Sequence, residues 1–218
     1  MVTLSEENYL KAIYHLGKQG SLAVSTNAIA EQMETKASSV TDMIKKLADK
    51  NLANYVKYQG VSLTKDGRLV AAMVVRKHRL WEVLLVEKLN FSWDEVHDVA
   101  EQLEHIKSEK LINELDAFLN YPKEDPHGDP IPDKDGHIKK TEKILLAKVD
   151  VNTSCICVGV KNSSKEFLQY LDKIKMALGS HIEVIDKEPF DQSMIIKINN
   201  QKLNVSTITA NNLYVKLV

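Results

Sequence analysis

Apolar residues recur every three or four positions through roughly the first half of the chain, then alternate in short runs towards its end. Tyr9, Leu10, Ile13, Tyr14 and Leu16 make one stripe at helical spacing, and Thr3 with Glu6 forms a capping box in front of it. Ser25 is placed to cap a short helix carrying Ile29, Ala30 and Met33. After a break at 34–37, Val40, Met43, Ile44 and Leu47 repeat the helical spacing. Two short strand-like runs then flank the turn pair Gln59 and Gly60. Helices followed by a hairpin predict a winged helix-turn-helix. Thr64 opens a helical run predicted to reach Leu89, although Gly67 is a poor residue inside it. Ser92 and Glu95 form another capping box, predicted to start the next helix. A further helix over 108–119 sets Leu111, Leu115 and Leu119 on one side.

The pattern breaks at NYPKEDPHGDPIPDKDG, which holds four of the five prolines and reads as a linker or surface crossing. Beyond residue 143, ILLAKV, CICVGV, HIEVID, MIIKI, LNVS and NLYVKLV are β-branched runs, interrupted by one helix, SSKEFLQYLDKIKMAL. Five or six short strands in so few residues predict a small barrel. The fold class expected is therefore mainly α with a β C-terminal domain. Its parts are a winged helix-turn-helix over 1–73, a helical unit with a Pro-rich linker over 74–140, and a small β-barrel over 141–218.

Composition narrows the picture modestly. The chain has 218 residues, a formal net charge of −1 and ordinary apolar content, so it is no polycation and any nucleic-acid contact must come from a local patch. No apolar run approaches the roughly 20 residues of a membrane span, and the start lacks a signal peptide's pattern, so no membrane partner and a cytoplasmic address are expected. Cys155 and Cys157 are two apart, and packing in a strand is the expected role rather than a disulfide. Charge is uneven along the chain. Residues 1–73 hold nine Lys or Arg against seven Asp or Glu, whereas 74–120 hold six against ten.

That acidic stretch carries the candidate chemistry. His78 and Glu82 are one turn apart, and His97, Glu101, Glu104 and His105 fall on one helical stripe. Imidazoles with carboxylates suit first-row divalent cations. Taken alone, the plainer reading is a solvated charged helix face. His15, His127, His137 and His181 lack partners at ligand spacing and read as surface or loop residues. On the presumed recognition helix, Ser38, Ser39, Thr41, Asp42 and Lys46 occupy the polar face, with Lys36 just ahead of it. Thr26 and Asn27 start the preceding helix, and Lys57 sits on the wing. Such hydroxyls, amides and lysines can reach phosphates or base edges, whereas Asp42 repels phosphate unless it accepts from a cytosine amine. An ordinary exposed helix is again the plainer alternative.

Six strings, EENYLKAIYHL, SSVTDMIKKL, LTKDGRLVA, RKHRLWEVLL, VHDVAEQLEH and DPHGDPIP, occur in this order over residues 6–132. Together they resemble the diphtheria toxin repressor family of iron- and manganese-dependent regulators, and the C-terminal part looks like the SH3-like domain of its longer members. The resemblance implies one metal site at Asn8, Glu101, Glu104 and His105, and a second at His78, Glu82 and His97. Asn162 and Glu166 are candidates for a further ligand from the SH3-like domain. Asn8 stands where Met or Asp is usual, and Lys11 stands where members with paired metals use an acid. Glu101 stands where some iron sensors have Cys, a slight tilt to manganese. An anion is not expected beside Arg79, because the matching positions are Asp125 and Asp129.

The resemblance implies a homodimeric repressor that binds a palindromic double-stranded DNA operator when loaded with Mn(II) or Fe(II) and controls metal-uptake genes. It is expected not to be an enzyme. A metallohydrolase using the His/Glu cluster, and a winged-helix regulator with a purely structural metal, are the alternatives. Against the first stands the lack of a general base apart from the ligands themselves.

Overall fold

The structure is a computed structural model describing residues 2–56, 59–139 and 142–218. It resolves into two compact units. One comprises the described part of Met1–Trp81 with Ala100–Phe118 and Ile131–Lys139; the other comprises Glu82–Val99, Leu119–Pro130 and the described part of Lys140–Val218. The elements α4 (Lys65–Leu89) and α5 (Val96–Leu103) each contribute residues to both.

In the first unit, α1 (Leu4–Leu16), α2 (Thr26–Gln32) and α3 (Ala37–Asp49) lead into the hairpin β1 (Ala53–Val56) and β2 (Gly60–Leu63). The strands are antiparallel, with Tyr55 opposite Val61. Local signals set the helix starts. Thr3 and Glu6 form the reciprocal capping box, and the Ser25 side chain accepts from the Ala28 amide. The buried stripe that results joins Leu10, Ile13, Ile29, Val40, Ile44, Leu47, Val61 and Leu63 to Ala71 and Val75 of α4. Gly67 is explained by this packing: a Cβ there would fall 1.8 Å from the Leu52 carbonyl oxygen. Thr64 offsets the weak helix former by accepting from the Gly67 amide at 3.0 Å. A buried ion pair of Arg76 with Asp116 (2.6 Å) ties α4 to α6 (Glu109–Phe118), and Arg76 also donates to the Pro132 carbonyl.

In the second unit, six antiparallel strands follow the order β3 (Ile144–Leu145), β8 (Leu213–Leu217), β4 (Ser154–Val160), β5 (His181–Lys187), β6 (Met194–Ile198) and β7 (Gln201–Val205). Two short helices, α7 (Lys165–Lys173) and α8 (Thr207–Ala210), accompany them. Cys155 and Cys157 point into the core with Val184, Ile196, Leu171 and Val215, as two residues on one face of a strand should.

Four local expectations change. Ser92 does bind Glu95, through its amide and hydroxyl, but the helix begins only at Val96, after a turn. ILLAKV forms just two residues of strand before a 3-10 turn at Leu146–Lys148. The helix expected over 163–178 stops at Lys173, and Lys175 sits in the left-handed region with φ 55°. Leu111 is exposed, because Ile112 and Leu115 supply the buried stripe of α6. Lys57 lies outside the described residues.

Candidate metal centre

Within the first unit, α1 presents Glu7, Asn8 and Lys11 on one side, at helical spacing. Glu101 comes from α5, and Glu104 and His105 from the turn directly after it. Glu104 is fully buried and 90 or more residues along the chain from its α1 partners. Lys11 Nζ donates to Glu101 Oε1 at 2.5 Å and to Glu104 Oε2 at 2.6 Å. His78 Nδ1 lies 2.6 Å from Glu104 Oε2 and 3.3 Å from Lys11 Nζ. A carboxylate oxygen only accepts, so the His78 proton at that contact sits on Nδ1.

His105 is fixed in the same way. Its Nδ1 lies 2.6 Å from Glu7 Oε2. Glu7 therefore accepts from Nδ1–H, and in the tautomer that this contact selects Nε2 carries the lone pair. That nitrogen faces Glu104 Oε1 at 3.7 Å, beyond hydrogen-bond reach. Glu104 Oε1 and Asn8 Oδ1 are both buried without a hydrogen-bond partner. A buried carboxylate oxygen left without a donor is costly. An unpartnered carboxylate oxygen, an amide oxygen and an imidazole lone pair are the donor set a divalent cation accepts. The residues present fit such an ion.

A second cluster lies within the other unit. Glu82, Asp125 and His127 are all buried, and each offers a ligand atom within 4.8 Å of the others'. His127 Nδ1 is 3.7 Å from Glu82 Oε2, and His97 Nδ1 is 3.6 Å from Glu82 Oε1. His127 Nε2 contacts the Trp93 carbonyl at 2.8 Å, and its ring stacks on the Trp93 indole. Burial opposes the charged imidazole, yet the facing Glu82 carboxylate and the charge of Asp125 raise its pKa to about 9. Asp125 holds the loop by accepting from the amides of His127 and Asp129.

His127 is thus no loop bystander, contrary to the sequence reading. Glu7 meets His105, and His127 meets Glu82, across long stretches of chain. The one available signal was the turn string DPHGDP, which can bring Asp125 and His127 together. Of the six ligands proposed beside Asn8, the structure groups His78 with Glu101, Glu104 and Lys11, places His105 on Glu104, and pairs Glu82 with His97. Asn162 uses its side-chain oxygen on the Ser164 amide, and Glu166 is exposed.

The polar face of α3 is open. Ser38, Ser39, Asp42 and Lys46 are exposed, as is Lys36, which precedes the helix and provides no side-chain cap. Thr41 turns its hydroxyl back to the Ala37 carbonyl, and Asp42 pairs with Lys45 at 3.7 Å. Asn27 is exposed and Thr26 half-buried.

Residues 1–61 match the iron dependent repressor, N-terminal DNA binding domain. Residues 64–133 match the iron dependent repressor, metal binding and dimerisation domain, and 144–217 match the FeoA domain. The iron-dependent repressor IdeR of Mycobacterium leprae is 36% identical over 126 residues, covering 58% of this chain and 54% of that protein. The chain thus spans about half the length of the curated relatives it first matches. The diphtheria toxin repressor of Corynebacterium diphtheriae is 27% identical over 194 residues, 84% of each chain. A solved manganese-dependent transcriptional repressor in complex with manganese superposes with a TM-score of 0.87 at 32% identity, covering 98% of this chain and 100% of that one. The manganese regulator SloR gives 0.74 at 33% identity, covering 98% of each. On its helical N-terminal part, its β C-terminal part and these matches, the chain belongs to the diphtheria toxin repressor family of iron- and manganese-dependent transcriptional repressors.

Proposed function

We propose that this chain is a cytoplasmic homodimer that binds a palindromic operator when loaded with Mn(II) or Fe(II), and so represses genes for uptake of that metal. The observation that carries the reading is the buried, unpartnered Glu104 Oε1 facing the His105 lone pair. Asn8, Glu101, Glu104 and His105 are the ligands proposed for one ion, with Glu7 holding His105 in the receptive tautomer. Glu82 and His97, joined by Asp125 and His127, are proposed for the second. His78, expected in the second set, already engages Glu104 in the first cluster. When bound, a divalent cation supplies the positive charge that lets acceptors from α1 and from the end of α5 share one point.

Asn8 and Glu7 then fix α1 against that end, and α1 packs in the same core as α2 and α3. Two α3 helices of a dimer would meet successive major grooves at a spacing near ~34 Å. Ser38, Ser39, Thr41, Asp42 and Lys46 are the proposed groove contacts. Thr26, Asn27, Lys36 and Lys57 are the proposed backbone contacts. Residues 1–73, 74–140 and 141–218 are the domains proposed for DNA binding, for metal binding and dimerisation, and for the SH3-like part. The family is one of repressors, which leaves the metallohydrolase alternative without support. The oxygen-rich donor set favours Mn(II) slightly.

The test is an operator-binding titration with and without Mn(II) or Fe(II), repeated with Glu104→Ala and His105→Ala. Metal should tighten binding at least ~fivefold, the lower end of typical couplings, and both variants should lose that gain. Parental affinity indifferent to metal would defeat the sensing model.

A further inference from the structure

The two oxygens of Glu104 face different fates. Oε1 is unpartnered and faces His105, whereas Oε2 is already held by a cation, the Lys11 ammonium. That ammonium also takes Glu101 Oε1 at 2.5 Å and is itself largely enclosed, with 12% of its side chain exposed. We propose that Lys11 is a tethered counter-cation of the metal centre, holding the carboxylates together before metal arrives and opposing the ion that arrives. This rests on the ligand reading proposed above.

Two carboxylates gathered beside one another repel, and Glu104 is buried away from the bulk solvent that would soften that repulsion. An ammonium between them removes the repulsion without any bound ion. The same charge then stands next to the other Glu104 oxygen. A divalent cation bound there must either tolerate a like charge across one carboxylate or push the lysine out to take Glu101. Either way the ammonium weakens metal binding and raises the concentration at which the centre fills. Lys11 sits one turn from both Glu7 and Asn8, so its displacement is felt on the helix that carries them.

The test uses the full chain, stripped of metal by chelation, as Lys11→Met, Lys11→Arg and His105→Ala variants. Calorimetric titration with Mn(II) and metal-free melting are both measured. Lys11→Met should melt at a lower temperature without metal, and should bind Mn(II) at least ~tenfold more tightly, since a like charge is gone. Lys11→Arg should stay near the parent. A Lys11→Met chain that folds only with Mn(II) present, read by circular dichroism, supports the proposal equally. Unchanged or weaker binding by Lys11→Met, with parental binding still lost in His105→Ala, overturns the proposal alone. Binding that ignores His105→Ala overturns the ligand reading as well.

Discussion

The Glu101/Glu104 cluster and the Glu82/Asp125/His127 cluster solve one problem by different chemistry. Both collect buried or half-buried carboxylates with imidazoles. In the first, the positive charge is an ammonium covalently fixed to α1. In the second, it is a proton on His127, whose pKa is raised to about 9. A tethered charge can be moved aside but stays on its helix. A proton can be released to solvent, and imidazole must release it before binding metal. The lesson is that acidic composition alone does not say how a metal-ready cluster is balanced when metal is absent.

Removing the shared carboxylate should break the first cluster most severely. Glu104→Gln keeps the volume but leaves His78 without its charged acceptor and Lys11 with Glu101 alone, costing about 3 kcal/mol of metal-free stability as well as the manganese response. Urea denaturation in chelator measures it, and a loss below ~1 kcal/mol would show that Glu101 alone balances Lys11.

Next in size is the loop of the second cluster. Gly128 has φ 81°, and a Cβ there would lie 2.0 Å from the Val158 carbonyl oxygen. Gly128→Ala should cost about 2–3 kcal/mol and displace Asp125 and His127. A normal melting temperature would mean the loop shifts freely.

The proton itself gives the third prediction. The folded pKa of His127 lies above the ordinary 6.5, so its stabilisation is complete below about pH 6.5 and is lost as pH rises to about 9. Metal-free unfolding free energy should therefore fall across that window, with a slope of at most about 1.4 kcal/mol per pH unit. His127→Gln should flatten the profile; a parent profile already flat there contradicts the proton's role. The smallest effect is expected for Glu7→Gln. An amide at that place holds His105 less firmly, and Mn(II) affinity should drop about tenfold, measured by calorimetry.

Much of the fold is legible because its signals are local. The Thr3–Glu6 capping box, the Ser25 cap and the α3 stripe each lie within a few residues, and the structure keeps all three. Ser92 and Glu95 show the limit: the side chains bond as the pattern demands, yet the helix waits until Val96. The centre divides along the same line. His97, Glu101, Glu104 and His105 stand out by spacing. Glu7 stays hidden because its partner is 98 residues away.

The sequence by itself determined the element order, the acidic character of the ligand segment and the family strings, since these depend on neighbours along the chain. Tertiary structure alone decided which carboxylate oxygen is left without a donor, that Lys11 neutralises one cluster, and that His127 carries the charge of the other. Those outcomes depend on burial and on distances of a few ångströms between remote segments, and no spacing along a chain encodes them.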